Sequence, residues 1–441
     1  MSDPLAAADA AGWVDPASVF AAVFTRERHV FWLDAGPGAR DGWSWMGTGI
    51  PDDAAHVRAV VCGRRAADAG ASPLRGGWVG WTGYDDAAAR AGAPSVRDDD
   101  ALPPSIWLRV TRLVAFDHAA RRVQVFAGPD DVHALAEAVA AASASALPVP
   151  ASPASAPSVG VARARHRPDQ YAALIEECRA AIREGDAYQL CLTTRFEVET
   201  SVDPVAAYAR LRTATPAHHG GFLRSGEVAL LSASPERFLQ VARTADEPVV
   251  RTSPIKGTRP RGADPAADAA LADDLRSSEK ERAENVMIVD LMRNDLSRVC
   301  VPGTVGVDAL LEVESYPAVH QLVSTVSGTL GAGTTLGDLL DATFPAGSMT
   351  GAPKLSAMTI LHRLERAPRG VFSGCFGWVG DDGALDLAMV IRSIVVRPGG
   401  AYVGAGGGIT WRSDAAAEVA EVGIKARGPL AALGAALPPG W

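Results

Sequence analysis

The sequence predicts an α+β fold, and three observations support that class. Strand-like segments occur in hairpin-like groups at residues 248–255, 372–380, 385–396 and 399–407. Segments with helical periodicity separate these groups, without the regular strand and helix alternation that indicates a parallel α/β protein. The length of 441 residues corresponds to two or three domain-sized units and allows a large hydrophobic core.

Three long helices and one strand are predicted in the second part of the chain. Apolar periodicity predicts helices over residues 168–185, 275–298 and 414–433. Residues 187–199 alternate between two faces, which predicts a strand with Gln189 near its start.

Composition divides the chain into two parts. Ala, Ser and Pro dominate residues 146–160 without periodicity, which predicts a flexible linker. Residues 1–145 would form an N-terminal subdomain, with strand-like pieces and a Gly/Trp-rich segment at residues 76–85. Residues 161–435 contain most of the chemistry-bearing motifs and would form the catalytic domain.

Charge and composition argue against several function classes. The net charge of −9 and the absence of basic runs argue against a nucleic-acid partner. No stretch of about 18 apolar residues occurs, so no membrane partner is expected. The N-terminal residues lack the pattern of a signal peptide. The five cysteines are scattered without a CxxC pair, which is typical of reduced, mostly buried thiols. We therefore expect a cytoplasmic protein.

Two predicted helices each carry a pair of glutamates three residues apart. Glu281 and Glu284 form one pair, and Glu418 and Glu421 form the other. This spacing places both carboxylates of a pair on one helix face. Such oxygen-rich sites suit Mg²⁺, although glutamates at this spacing are also common on solvated surfaces. The small and apolar neighbours of these residues favour a site over an open surface.

Further segments could bind an anion or donate a proton. The Gly-rich residues 344–358 precede a predicted helix, an arrangement whose backbone N–H groups hold anions, but they do not match a P-loop. Arg392 lies in an apolar run and could pair with a carboxylate, or it could lie at an exposed strand edge. Glu236 and His320 lie in semi-apolar contexts, where a structural role is the alternative to acid–base chemistry.

Taken in order, the motifs resemble the chorismate-utilising enzymes. This family contains anthranilate synthase large subunits, aminodeoxychorismate synthases and isochorismate or salicylate synthases. The resemblance covers about residues 165–428, and "GGWVGWTGYD" extends it more loosely into the N-terminal part. The matching stretches are "DAYQLCLTTRF", "SASPERFL", "SPIKGTRPRG", "EKERAENVMIVDLMRNDLSRV", "VESYPAVHQLVSTVSG", "FPAGSMTGAPKLSAM", "AMVIRSIVV" and "SDAAAEVAEVGIKA".

The resemblance implies a fold and a metal site. The fold would be an α/β/β/α sandwich on large antiparallel sheets, with two intimately packed subdomains. A Mg²⁺ ion would bridge Glu284, Glu421 and the ring carboxylate of chorismate, with Glu281 and Glu418 nearby.

The resemblance also implies substrate contacts. Arg392 and the backbone around Gly406 and Gly407 would hold the enolpyruvyl carboxylate, and Glu236 would assist departure of the C4 hydroxyl. The other candidate substrate-binding residues in the matched motifs are Gln189, Thr258, His320, Gly351, Lys354 and Lys425.

Two positions predict the reaction within this family. Isochorismate-type members carry a lysine where this chain has Gln189, because a base must activate water. Anthranilate synthases typically read PIAGT, whereas aminodeoxychorismate synthases typically read PIKGT, as here with Lys256. A lysine can attack C2 first, and ammonia can then attack C4 and expel it. We therefore expect chorismate and ammonia to give 4-amino-4-deoxychorismate, for p-aminobenzoate and folate synthesis.

The lysine count supports a specific need for an amine. Only four lysines occur among 42 basic residues, at positions 256, 280, 354 and 425, and all lie in the matched motifs. Random loss of lysine in a GC-rich genome is the alternative, but it would leave lysines scattered along the chain. An arginine could not replace the nucleophile, because its guanidinium stays protonated.

The sequence leaves two alternative functions open. The chain could be an anthranilate or 2-amino-2-deoxyisochorismate synthase, in which Lys256 would only bind substrate. It could also be a catalytically silent relative, but no motif carboxylate is missing. No glutamine amidotransferase segment is recognisable, so we expect a separate glutaminase subunit to supply ammonia. Leu33-Asp34-Ala35 replaces the Leu-Glu-Ser of tryptophan-inhibited relatives, so tryptophan inhibition is not predicted.

Overall fold

The computed structural model describes residues 5–10, 12–63, 71–94, 96, 102–142, 159–199, 201–242, 247–316 and 319–441. The strands are β1 (Ala6–Asp9), β2 (His29–Asp34), β3 (Trp43–Asp52), β4 (Trp78–Thr82), β5 (Ser105–Asp117), β6 (Arg122–Ala127), β7 (Gly160–Val161), β8 (Arg163–Ala164), β9 (Gln189–Val198), β10 (His219–Ser225), β11 (Val228–Ser234), β12 (Arg237–Ala242), β13 (Val249–Thr252), β14 (Ile255–Pro260), β15 (Gly306–Ser315), β16 (Val319–Thr329), β17 (Gly351–Ala352), β18 (Cys375–Val379), β19 (Leu385–Met389), β20 (Ser393–Arg397), β21 (Gly400–Ile409) and β22 (Ala435–Ala436).

The helices alternate with groups of these strands. They are α1 (Pro16–Val19), which continues as a π-helical turn (Phe20–Phe24), α2 (Ala54–Arg58), α3 (Tyr84–Arg90), α4 (Val132–Ala141), α5 (Pro168–Glu184), α6 (Pro204–Ala214), α7 (Pro265–Ser277), α8 (Glu279–Ser297), α9 (Leu336–Thr343), α10 (Gly347–Thr350), α11 (Lys354–Glu365) and α12 (Ala415–Leu433).

One antiparallel network connects the described strands, apart from the short parallel pair β7 and β22. The long strands β3 and β5 pair with each other, and two branches leave this pair. One branch runs through β2, β10, β11, β20, β21 and β9. The other runs through β4, β18, β19, β12, β13 and β16, which also pairs with β14 and β15.

Neighbouring strand residues divide between two hydrophobic cores. In β2, Trp32 packs into the first core and Phe31 into the second, and Leu231 and Leu230 of β11 divide in the same way. Helices α5, α6 and α12 complete the first core, whereas the second branch and helices α8 and α9 complete the second. The layers therefore follow the order helix, sheet, sheet, helix, which confirms the predicted α/β/β/α arrangement.

Strands from the two predicted subdomains pair directly with each other. The N-terminal strand β2 pairs with β10, and β4 pairs with β18. The proposed boundaries, 1–145 and 161–435, stay a prediction, and most of the linker at 146–160 lies outside the described residues. No helix in the described part of the chain is long and apolar enough to cross a membrane.

Most predicted elements are present, with two corrections. Helices α5 and α12 and strand β9 lie where they were predicted. The helix predicted over residues 275–298 is wrong as one element, because Ser278 has extended backbone and caps a new helix by accepting from Glu281 N. The strand predicted over residues 385–396 is interrupted at Arg392, which has a φ of 51°. The five cysteines are free and buried, as expected.

A buried ion pair holds strand β9 against helices α10 and α11. The Arg369 guanidinium lies 2.7 Å from the Glu365 carboxylate and donates to the carbonyls of Cys191 and Met349. Glu365 also accepts a hydrogen bond from the Thr193 backbone N–H. Both charged side chains are less than 5% exposed, so each depends on the other to offset its loss of hydration.

Substituting Arg369→Met should destabilise the protein by about 3 to 5 kcal/mol, because it leaves Glu365 as an unpaired buried charge. The same change at Arg363, an exposed arginine of helix α11, should change stability by less than about 0.5 kcal/mol. Thermal and urea unfolding of the two variants would test this. Equal effects of both substitutions would show that the buried pair does not stabilise this region.

Candidate active site

A glycine run in β21, residues 406–408, is the point where the candidate residues meet. A Cβ atom built on Gly408 would lie 2.3 Å from Gln189 Nε2 and 3.6 Å from Lys256 Nζ. The absence of a side chain at Gly408 therefore lets the amide from β9 and the amine from β14 approach the same piece of backbone.

Helix α12 approaches the same run from the other side. A Cβ atom built on Gly407 would lie 3.1 Å from Glu418 Oε2. Lys425 donates to the Gly406 carbonyl at 2.8 Å and to Glu421 at 2.8 Å. Gly406 and Gly407, predicted from the resemblance to hold a substrate carboxylate, thus lie beside charged residues of α12.

A bulge in β14 positions Lys256. Lys256 pairs with Leu322 and Thr258 pairs with Gln321, so the residue between them is extra in the ladder. That residue, Gly257, has a φ of 78°, which glycine adopts readily. A Cβ atom there would lie 2.7 Å from the Leu275 side chain, so the tight bulge requires glycine.

Helix α8 supplies a deeply buried carboxylate at Glu284. Glu284 is 7% exposed, and its Oε1 accepts no hydrogen bond from a described residue. Burial raises the pKa of Glu284, and the positive charges of Lys256 and Lys280 oppose this effect. The neighbouring Asn285 fixes the helix by donating to the carbonyls of Pro254 and Leu322.

Helix α12 supplies the other two carboxylates. Glu418 is 3% exposed and accepts a hydrogen bond from Ser413, whereas the Glu421 side chain is 46% exposed. Burial acts to raise the pKa of Glu421, but Lys425, Lys280 and then Lys256 outweigh it, and the net effect lowers the pKa. Glu421 is therefore ionised and accessible at the mouth of the cluster.

Lys280 joins the two helices and was not predicted as a site residue. Its ammonium lies 3.2 Å from Glu418 Oε1 and 4.0 Å from Glu284 Oε1. Burial acts to lower the pKa of Lys280, but the two carboxylates outweigh it and raise the pKa. The one sequence signal for a role of Lys280 was that it is one of only four lysines in the chain.

Glu236 lies in the turn between β11 and β12 and faces the same charges. It is 8% exposed and forms a hydrogen bond with Ser348, a second residue that sequence reasoning missed. Burial raises the pKa of Glu236, while Lys256, Ser348 and Lys425 act in the opposite direction. A carboxyl group with a raised pKa can keep a proton for donation.

Arg392 occupies the break between β19 and β20. Its left-handed backbone is uncommon for arginine and costs roughly 1 kcal/mol or more. Burial lowers the pKa of Arg392, and the facing Glu421 carboxylate opposes this shift. The guanidinium makes no hydrogen bond or ion pair with a described residue, so its fork is available for a carboxylate.

Gln189 is another unsatisfied polar group. Its side chain is fully buried, and neither amide atom has a hydrogen-bond partner among the described residues. A buried amide in this state costs free energy unless a ligand or water completes its hydrogen bonds. Because Gln189 lies next to Lys256 at Gly408, a polar group bound there could satisfy both side chains.

The Mg²⁺ ion implied by the resemblance stays a prediction. No three His, Cys, Asp or Glu side chains of the described residues converge tightly enough to form a complete metal centre by themselves. Glu284 Oε1 nevertheless has no hydrogen-bond partner among the described residues, and Glu418 already contacts the Lys280 ammonium. Positive charge at this cluster is therefore favourable. Magnesium commonly takes few protein carboxylates and completes its shell with water and substrate oxygens.

Two predicted substrate-binding residues, Lys354 and His320, pair with other groups of the protein. The Lys354 ammonium is 2.6 Å from Asp295 and donates to the Thr343 carbonyl. Asp295 lies eleven positions after Glu284 on α8, about 16 Å along the helix, so this amine is remote from the cluster. His320 Nδ1 lies 2.8 Å from the Ser315 hydroxyl, and His320 Nε2 lies 3.0 Å from the Asp268 carboxylate. Both ring nitrogens therefore have a partner.

The remaining predicted residues lie at the edge of the cluster. Gly351 pairs with Leu190 and packs against the backbone of Gln189. Thr258 is exposed on β14, beyond the bulge. Glu281 lies near Gly257 and is 3.9 Å from Arg259, so it faces the bulge that positions Lys256.

Comparisons with known proteins identify relatives of this chain. The chain is 42% identical over 368 residues to an aminodeoxychorismate synthase of Streptomyces pristinaespiralis, which covers 81% of this chain and 50% of that protein. It is 40% identical over 366 residues to anthranilate synthase component 1 of Thermus thermophilus, covering 82% and 78%. The chain thus spans about half the length of the first relative.

A solved structure shows the same fold. Anthranilate synthase component I from Streptococcus pneumoniae TIGR4 matches with a TM-score of 0.72 and 27% identity, covering 97% of this chain and 92% of that one. The family described as chorismate binding enzyme matches residues 42–431, which include the whole carboxylate and lysine cluster. The chain therefore belongs to the chorismate-binding enzyme family.

Proposed function

We propose that this chain is the large subunit of an aminodeoxychorismate synthase, which converts chorismate and ammonia to 4-amino-4-deoxychorismate. One observation carries the proposal. A primary amine, Lys256, lies on a bulged strand beside a buried amide. Its positive charge acts to lower the pKa of Glu236, Glu284 and Glu421. A mere substrate contact would not require an amine at this position, because arginine serves as the cation nearly everywhere else.

The chemistry requires two allylic shifts. Lys256 Nζ attacks C2 of chorismate, the ring double bonds move, and the C4 hydroxyl leaves as water with a proton from Glu236. Ammonia then attacks C4, the double bonds move back, the C2–N bond to Lys256 breaks, and a proton from the new amino group returns to Glu236. The net reaction exchanges the C4 hydroxyl for an amino group and regenerates the lysine.

The charged residues would hold the two substrate carboxylates. Glu284 and Glu421 would hold Mg²⁺, with Glu281 and Glu418 as nearby or water-mediated partners. When bound, the ion supplies positive charge for the ring carboxylate of chorismate. Arg392, with the backbone of Gly406 and Gly407, would hold the enolpyruvyl carboxylate, because a guanidinium binds carboxylates in a two-pronged manner.

The nitrogen source would be a separate glutaminase subunit. The aminodeoxychorismate synthase of Streptomyces pristinaespiralis is about twice as long as the matched region, so it contains a large additional segment. Free ammonium should replace the partner in a purified system. The product would be a precursor of p-aminobenzoate, and we place the reaction in the cytoplasm.

An anthranilate synthase is the second candidate function. The similarity to anthranilate synthase components of Thermus thermophilus and Streptococcus pneumoniae supports it. In that case ammonia would attack C2 directly, and Lys256 would only contact substrate. The fate of the lysine separates the two reactions.

Incubation of the protein with chorismate and Mg²⁺, but without ammonium, should accumulate an adduct on Lys256 with the mass of chorismate minus water. Peptide mass spectrometry would locate it. Lys256→Arg keeps the positive charge but removes the nucleophile, so it should form no adduct and no 4-amino product. An adduct-free wild-type protein that makes anthranilate would contradict the proposal and support the second candidate.

The stability of Glu236→Gln should depend on pH relative to the wild type. Because burial raises the pKa of Glu236, the folded protein loses stability as pH rises from about 4.5 through the folded-state pKa. Glutamine does not ionise, so the variant avoids the cost of a buried charge. The difference in melting temperature, variant minus wild type, should therefore increase with pH. Its turnover should fall by roughly 10² to 10⁴-fold, because the acid is lost.

The control for this experiment is Glu227→Gln, since Glu227 is exposed in the hairpin that leads into β11. That variant should have the melting temperature of the wild type at every pH and should keep its turnover. A constant offset between Glu236→Gln and the wild type at every pH would show that burial does not perturb this carboxyl.

A further inference from the structure

Lys280 occupies an unusual position for a lysine. It is the second residue of α8, and Ser278 caps this helix by accepting from Glu281 N. A cation in the first turn of a helix is unfavourable, because the helix dipole places partial positive charge there. The local cost of Lys280 must therefore be offset by favourable contacts of its ammonium group.

Those contacts are with Glu284, a proposed metal ligand on the same helix, and with Glu418, a proposed neighbour of the ion on α12. The ammonium lies 3.2 Å from Glu418 Oε1 and 4.0 Å from Glu284 Oε1, and it bridges helices α8 and α12. Glu284 Oε1 has no hydrogen-bond partner among the described residues. The lysine therefore supplies positive charge to carboxylate oxygens that would otherwise be buried without a counter-ion.

The exposures of the three side chains differ strongly. The Lys280 side chain is 45% exposed, whereas those of Glu284 and Glu418 are 10% and 4% exposed. The carboxylates cannot leave the cluster without breaking its packing. The long lysine side chain can turn into water at little cost, because its stem is flexible and its ammonium is readily hydrated.

We propose that Lys280 is a tethered counter-cation, which neutralises Glu284 and Glu418 in the metal-free protein and is displaced when a divalent cation binds. This inference rests on the proposed function, since it assumes that these glutamates take Mg²⁺. The lysine stabilises the empty site and lowers the apparent affinity for the metal, because the metal must first break the existing ion pair.

Removing the tethered cation should separate these two effects. Lys280→Met keeps an unbranched side chain that is one atom shorter and removes its charge. In isothermal titration of substrate-free protein with MgCl₂, the variant should bind about tenfold more tightly than the wild type. In EDTA the variant should melt at a lower temperature, and saturating Mg²⁺ should raise its melting temperature more than that of the wild type.

Arg293→Met is the matched control. Arg293 is an exposed cation on the same helix, 3.2 Å from Asp290, and has no contact with the cluster. Its removal should leave Mg²⁺ affinity and the melting temperature in EDTA at the wild-type values. Lys280→Gln serves as a second variant and should shift the affinity in the same direction as Lys280→Met.

The outcomes distinguish this inference from the proposed function. If the wild type binds Mg²⁺ and both Lys280 variants bind it equally or more weakly, the lysine is not a competitor and the inference is overturned. If Arg293→Met tightens Mg²⁺ binding as much as Lys280→Met does, the loss of any positive charge explains the effect. The inference is then overturned. If wild type and variants all fail to bind Mg²⁺, the metal site and this inference are both refuted.

Discussion

Beside the glycine run of β21, carboxylates and ammonium groups balance one another's charge. Glu284 on α8 and Glu418 on α12 lie largely out of water, and burial raises the pKa of Glu284. Ammonium groups from β14, α8 and α12 offset that cost. The cluster therefore holds ionised groups in a protein interior, where they act more strongly on a bound anion than they would in water.

The backbone around the cluster explains why the charges can meet. The bulge at Gly257 shifts the register of β14 and positions Lys256, and Asn285 ties α8 to the strands next to that bulge. The buried pair of Arg369 and Glu365 holds β9, which supplies Gln189. Several elements distant in sequence thus fix one small region, while Gln189 and Glu284 Oε1 keep unsatisfied polar atoms there. Unpaired buried groups of this kind are expected where a ligand completes the hydrogen bonds.

Much of this arrangement could be predicted from the sequence, but the partners of individual side chains could not. The periodicity of α5 and α12 and the ordered motifs predicted the layers and the two glutamate pairs. The break at Ser278 had a signal, since Ser278 and Glu281 have the spacing of a capping box. Lys354 had none, because its partner Asp295 is 59 residues away and only the fold brings them together. The positive φ of Arg392 likewise depends on tertiary packing and contradicts the residue's own preference.

If Lys256 directs nitrogen to C4 of chorismate, the position of nitrogen in the product shows it. The protein would be incubated with chorismate, Mg²⁺ and ¹⁵N-labelled ammonium, and the ¹⁵N atom located by long-range correlation to the ring protons in NMR. We expect the label at C4, in 4-amino-4-deoxychorismate. A label at C2 would contradict it and assign this member of the family to the anthranilate or 2-amino-2-deoxyisochorismate reaction.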